Sequence, residues 1–575
     1  MAITPLPDSA NLENLRKRAK ALLKSVHAGD AAALEQVGPY FGNPRTISLQ
    51  QAHLVLARQY GFSSWTKLKR HIEGANPSRE TGEQRANRFL DLVTVAYDQV
   101  PDIGPKRFAA AADLLNAHPE IRQASIYTAA AIGDAGQIDR WLDKDSGLLN
   151  RKGGYFNWEP LMYAAYARLP GASSLAAGLR LLERGADPNA YYMWSGKYKF
   201  TALTGVLGEG ENGPINQPVH PDWEVFARAL LERGADPNDS QGAYNRCFEP
   251  DNRWLELLLE YGLKPTDRNN WLHQEGDDLV PNPEETMHFQ LIQAIHRGNV
   301  ERARLLIDHG VHIDRPDDTY DTRTKGKTPY QAAMLLGQEA IAKALLDAGA
   351  KAETLSDGAR FQSACMTGHR DAARALLQAN PDLLSTVRQS EMLNSAVHQR
   401  NLAALETMIA IGFELNPANG NTPLHQAAYN GDLEIARLLL AAGADPTIRD
   451  PHYHAPPIGF AEHARRDDMV ALLDTLEMDI FCAAARGKLE QIDKRLSEDP
   501  TRLNMRFGTL WTGSEPRDND WMTPLVFAVV NNSEDAVRTL LDRGADATVA
   551  DGAGNSVKTV AEKHANERIV SILAG

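Results

Sequence analysis

Two residues apart, His220 and Asp222 are the pair in this chain best suited to moving a proton. A carboxylate can orient an imidazole, and an imidazole that titrates near neutrality serves as general base or metal ligand. The pair closes an insertion running from Gly208 to Trp223, in which Glu209 is a second acid able to orient the ring. The competing and commoner reading makes Pro-Asp a helix start before Trp223 to Leu231. The insertion also contains a literal G-x-G-x-x-G at Gly208, Gly210 and Gly213. A dinucleotide loop needs a strand before it and a helix after it, and Glu209 and Glu211 would repel a pyrophosphate, so no such site is expected. Trp271, His273, Glu275, Asp277 and Asp278 crowd a further loop that reads as solvated. Gly326-Lys327-Thr328 ends like a phosphate loop, but Asp321 stands where glycine is required. His452 and His454 make half a zinc site, on a loop beside Pro456 and Pro457. Cys247, Cys365 and Cys482 are far apart with no C-x-x-C, which excludes a disulfide framework and a zinc ribbon. No metal and no cofactor is expected.

Aromatic residues are the second departure from an even sequence. Ten lie between Tyr155 and Phe200, against 40 in the 575 residues of the chain, about a threefold excess. Large rigid rings give contact area at low rotamer cost, so Tyr155, Trp158, Tyr163, Tyr191, Tyr192, Trp194, Tyr198 and Trp223 are candidate binding residues. Tyr244, Asn245 and Arg246 join them. The alternative is that the rings pack on one another to hold a long loop.

What must position these residues is a repeat. Leu181-Leu-Glu-Arg-Gly-Ala-Asp-Pro-Asn189 recurs unchanged at Leu230 to Asn238, with near copies at Leu439 to Thr447 and Leu540 to Thr548. Upstream lies a second string, Thr422-Pro-Leu-His-Gln-Ala-Ala428, echoed at Thr328 and Thr523. Thr before Pro suits a helix start, and small Ala residues on a short helix allow close stacking. Leu433, Ile435, Ala436, Leu439 and Leu440 give the second helix an apolar stripe, and Gly443 stops it.

This helix–turn–helix–Gly pattern resembles the ankyrin repeat, most closely over 421–448. The expected fold is all-α: an ankyrin-repeat solenoid of about thirteen units, stacked because no unit can bury its apolar face alone. The expected domains are an N-terminal helical module (1–74), a helical lead-in (84–120) and the array (121–575), with insertions near 190–223 and 266–284. Ala57-Arg58-Gln59-Tyr60-Gly61-Phe62-Ser63-Ser64-Trp65 resembles the amino-terminal module of a group of bacterial ankyrin-repeat proteins. That resemblance implies fold and interaction character, with no activity attached.

A net charge of −14 argues against a general nucleic-acid or anionic-membrane binder. The start of the chain has no signal-type apolar stretch, and a cytoplasmic protein is expected. The leading functional reading is a non-catalytic scaffold whose concave groove binds a protein or peptide. The alternative is an enzyme or small-molecule binder using a pocket over 155–280, with His220 as base and Asp222 or Glu209 orienting it.

Overall fold

Leucines three and four residues apart, broken by glycine every few turns, dictate short helices that survive only by packing on one another. The computed structural model shows this. It describes residues 12–38, 47–60, 65, 68, 80–95, 97, 104–275, 278–317, 323–417, 420, 422–510, 519–552, 554–563 and 567–574. The chain divides into two compact units, Met1–Pro283 and Glu284–Gly575.

The first unit opens with helices Leu12–His27, Ala31–Val37 and Leu49–Gln59. Ser48 and Gln51 form a reciprocal capping box at the start of the third. Of the N-terminal signature, Ala57 and Tyr60 are buried with Leu15 and Leu68, and Trp65 leans on that cluster while stacking on His53 at 4.3 Å. Gly61, Phe62 and Ser64 lie outside the described residues, as do most of the helix expected to follow, Asp277 and Asp321. Helices Gly82–Val93 and Gly104–Ala117 pack together ahead of four helix pairs: Ile126–Ile132 with Ala135–Lys144, Pro160–Tyr166 with Leu175–Glu183, Ala202–Leu207 with Trp223–Glu232, and Ser240–Arg246 with Arg253–Glu260. First helices stack on first helices and second on second. A Cβ on Gly205 would lie 2.2 Å from the Tyr166 ring, so only glycine lets those two short helices come so close. Two antiparallel hairpins, Tyr191–Trp194 with Tyr198–Thr201 and Leu272–Glu275 with Asp278–Pro281, interrupt the helices.

Among the described residues of the second unit the same brick occurs nine times, from Thr286–Arg297 with Val300–Asp308 to Val557–Lys563 with Glu567–Ala574. Gly443 follows the helix Leu433–Ala441 with φ +95°, the left-handed conformation its position requires. Thr328 caps its helix through Gln331 as expected, but Thr422 does not. Its hydroxyl goes instead to Nδ1 of His425 at 2.7 Å, and Nε2 of that ring donates to the Ala455 carbonyl in the next repeat at 3.1 Å. The histidine in Thr-Pro-Leu-His is therefore a tie between repeats.

A second tie explains the asparagines. Asn189 accepts the Asp236 N–H at 2.9 Å and donates to the Gly234 carbonyl at 2.8 Å, one repeat onward. Asn416 does the same to Asp445 and Gly443. Two units that end without Gly-Ala-Asp keep this residue: Asn150 accepts from the Asp187 N–H and Asn504 from the Asp546 N–H.

Candidate functional site

The aromatic excess is assembled by the hairpin at 191–201. Ser195 and Gly196 both have positive φ and open the three-residue turn Ser195–Lys197 that joins the paired strands. Strand alternation then turns Tyr192 and Phe200 to one face and Tyr191, Met193 and Lys199 to the other. On the inner face, Trp158 stacks on Phe156 at 4.5 Å and on Tyr192 at 4.6 Å, and Tyr192 stacks on Phe200 at 5.2 Å. Trp194 meets Tyr198 at 5.7 Å, Tyr198 meets Trp271 edge-on at 5.7 Å, and Trp271 meets Tyr244 at 5.4 Å. One series of rings thus joins candidates spread from 156 to 271. The two hairpins are also linked by backbone, with the Leu272 N–H on the Lys197 carbonyl at 2.9 Å.

Within this series, Trp158 and Tyr163 are buried and structural. The Tyr163 hydroxyl donates to the Gly153 carbonyl at 2.8 Å and accepts the Phe156 N–H at 2.9 Å, stapling the loop before its own helix. Tyr155 packs edge-on against Phe156 at 4.8 Å. The outer face is open: Tyr191 is 43% exposed and Met193 39%, and Lys199 Nζ lies 4.8 Å above the Tyr191 ring. Met193 and Lys199 were missed by the sequence reading, although Ser-Gly between alternating residues was the available signal.

The His220 neighbourhood is a buried polar knot. Nδ1 of His220 accepts the Asp222 backbone N–H at 3.1 Å, so the ring proton sits on Nε2 and is donated to Ser174 Oγ at 2.9 Å. Ser174 passes its own proton to the Ala164 carbonyl at 2.6 Å. Burial, helped by the Arg168 charge, pulls the His220 pKa down to about 3. The ring is neutral with both nitrogens engaged, which leaves no lone pair for proton abstraction. The Asp222 carboxylate accepts from Ser173 Oγ and makes no cap bond to its helix. Glu209 is buried against Arg246, which also reaches Asp251 at 3.2 Å. Burial raises the Glu209 pKa while Arg246 opposes the rise. Asn245 is buried and accepts from Gln241 at 2.9 Å, Trp223 is buried in its helix, and the Tyr244 hydroxyl donates to Glu211 at 2.5 Å.

Arg168, missed by the sequence reading, holds this knot together. Its guanidinium donates to the carbonyls of Pro218 at 2.9 Å, Gly205 at 2.6 Å, Ala165 at 3.0 Å and Ala167 at 2.8 Å. The loop containing His220 is thereby tied to the preceding repeat.

Raising a protonated fraction of His220 costs more in the folded chain than in the unfolded one. The unfolded ring titrates near 6.5, so stability is full above that pH and falls as pH drops toward 3. Melting temperature should therefore decline below about pH 6.5, and His220→Gln, which keeps a donor for Ser174, should flatten that decline. A variant with the parent's slope would show that other groups carry it.

Elsewhere, no three His, Cys, Asp or Glu side chains among the described residues group as a metal site needs. The 208–213 glycines follow the helix Ala202–Leu207 rather than a strand. In the 449–455 loop the Asp450 carboxylate accepts the N–H groups of His452, Tyr453 and Ala455. Cys365 is buried, and half-buried Cys482 packs against the core of its unit at the edge of an open groove of about 530 Å³. Burial pushes both thiols up to about 12. No helix among the described residues is long and apolar enough to cross a membrane.

Stacked helix pairs with Gly-Ala-Asp turns and hairpin insertions define a class of repeat protein. The family model for ankyrin repeats in three copies matches residues 361–450, and the single ankyrin repeat matches 520–552. The chain carries ankyrin repeats. Over 191 residues it is 28% identical to the ankyrin repeat protein YahD of Escherichia coli (strain K12), covering 31% of this chain and 92% of that one. A protein of Oryza sativa subsp. japonica described as a probable E3 ubiquitin-protein ligase, XBOS32, is 28% identical over 34% of this chain and 40% of its own length. B-cell lymphoma 3 protein of Homo sapiens is 31% identical over 28% of this chain and 30% of its own. The match thus spans less than half of the rice and human proteins.

Proposed function

We propose that this chain is a non-catalytic interaction protein, which binds a protein or peptide through the surface of its ankyrin repeats. The repeats and the ankyrin relatives support a scaffold role of this kind. The observation that carries the choice of surface is the hairpin at 191–201. It exposes Tyr191 and Met193, with half-buried Lys199 beside them, while a series of packed rings holds it from behind. Anchors held in place before binding lose little freedom when a partner arrives. The N-terminal helices belong to this reading as the separate module (1–74) of a bacterial, cytoplasmic protein. The small-molecule alternative at 155–280 finds little support, because His220 and Asp222 are spent on structural bonds.

A displayed library of random peptides, panned on the full chain, tests the proposal. Peptides enriched on the parent should bind Tyr191→Ala/Met193→Ala at least tenfold more weakly, about 1.4 kcal/mol, with helix content unchanged by circular dichroism. Equal binding by the folded double variant would sink the hairpin as the contact surface.

A further inference from the structure

Charge is unevenly shared along the chain. Ten of its 61 Lys and Arg residues but only five of its 75 Asp and Glu residues fall within 1–74, which gives that stretch +5. The remaining 51 and 70 give the rest −19, so the overall −14 conceals a basic N-terminal module. Every acid of the stretch is counted: Asp8, Glu13, Asp30, Glu35 and Glu73.

One helix face gathers part of this charge. In Leu12–His27, Leu15, Ala19, Leu22 and Val26 recur at three- and four-residue spacing and are buried, the last three in one cluster with Val55 and Leu56 of Leu49–Gln59. That fixes the roll of the helix. Arg16, Lys20 and Lys24, each four residues beyond the last, then form an exposed row with about 6 Å of rise between neighbours. Among the described residues no carboxylate pairs with any of the three. Arg18 is exposed as well but is spent on Tyr60, whose hydroxyl accepts its hydrogen bond and whose ring centre lies 5.5 Å away. Burial lowers the pKa of His53 on the neighbouring helix, and the charges of Arg16 and Lys20 lower it further, so both cations stand beside the same ring.

Three features select the partner. A membrane-surface helix keeps an apolar side free to enter lipid, and here that side is buried in the module. A protein hot spot needs aromatic or apolar anchors at its centre, whereas this row offers only Arg and Lys on a convex surface. Evenly spaced cations on a buttressed helix match another regular array of charge, the phosphates of a nucleic-acid duplex.

We propose that the N-terminal module docks on double-stranded DNA through its phosphates, with Arg16, Lys20 and Lys24 along the backbone and no reading of base sequence. Acidic residues beyond the module repel the same duplex, which confines contact to this face and makes it sensitive to salt. The hairpin at 191–201 plays no part in this contact.

Anisotropy of a labelled DNA duplex of mixed sequence, titrated with the full chain at low salt and again as salt rises, is the test. The parent should bind, and log affinity should fall linearly with log salt. Arg16→Gln/Lys20→Gln/Lys24→Gln should bind roughly tenfold or more weakly and lower the salt slope by roughly three, about one for each lost phosphate contact. Glutamine is a good helix former and the three side chains are exposed; circular dichroism and melting temperature check the fold. If the triple variant does not fold, Lys20→Gln/Lys24→Gln takes its place, with a slope lower by roughly two. Tyr191→Ala/Met193→Ala should bind the duplex as the parent does. No binding at low salt would overturn the proposal, and so would a folded triple variant with the parent's affinity and slope. A single strand preferred to the duplex would overturn it too, as would vesicles of phosphatidylglycerol or polyglutamate captured while the duplex is not.

Discussion

Arg168→Met is expected to move the unfolding of the first unit to much lower denaturant, a loss of ~3–5 kcal/mol. Methionine keeps most of the aliphatic stem, so packing loss is small and the effect reports the guanidinium. Four backbone carbonyls, at 165, 167, 205 and 218, receive its hydrogen bonds inside the fold. Without the donor each becomes a desolvated acceptor, at about 1–3 kcal/mol per group before relaxation. Burial pulls the Arg168 pKa down to about 10, against the opposing effect of Tyr97 and Tyr166 beside it, and the group stays charged at neutral pH. Arg168→Lys should fall between parent and Met, since one ammonium cannot fork to carbonyls on three segments. Tryptophan fluorescence reads the result locally, because seven of the nine tryptophans precede residue 284. A midpoint unchanged in Arg168→Met would show that the loop at 208–222 is held by other contacts.

The same residue marks the limit of sequence reading. Helix pairs were legible because their cause is local: Leu at three- and four-residue spacing, then Gly, then Asp. Arg168 was not, because a lone arginine after a helix is usually solvated. Its burial depends on carbonyls of Gly205 and Pro218, contributed by the next repeat and its insertion. His220 and Asp222 were legible as a pair and misleading as chemistry. Proximity along a loop placed the Asp222 amide on the ring and sent its carboxylate to Ser173 instead. The hairpin at 191–201 lay in plain view, with Ser-Gly between alternating residues, but the helical periodicity on either side drew the reading toward a loop. The asparagine ties needed both partners on the page, one repeat apart.

In the second unit, Leu439→Ala should cost ~2–5 kcal/mol. Leu439 is fully buried in the helix Leu433–Ala441, among core residues contributed by several repeats. Truncation removes the transfer free energy of its methyl and methylene groups and leaves a void that short helices on a common stack cannot easily close. Gly443→Val tests the end of the same helix by a different route. A Cβ there meets nothing within 4 Å, so the cost comes from forcing a branched residue to φ +95° and should be smaller, about 1–3 kcal/mol. A single unfolding free energy is poorly defined for a long repeat chain, whose cooperativity runs between neighbours. Hydrogen exchange is therefore the right measurement. Leu439→Ala should lower protection across 423–441 and in the adjoining helices Gln389–His398 and Pro457–His463, which stack on Pro423–Asn430. Loss confined to 433–441 would mean that repeats in this unit are far less coupled than their shared core implies, and protection equal to the parent would mean that Leu439 does not occupy the core position assigned to it.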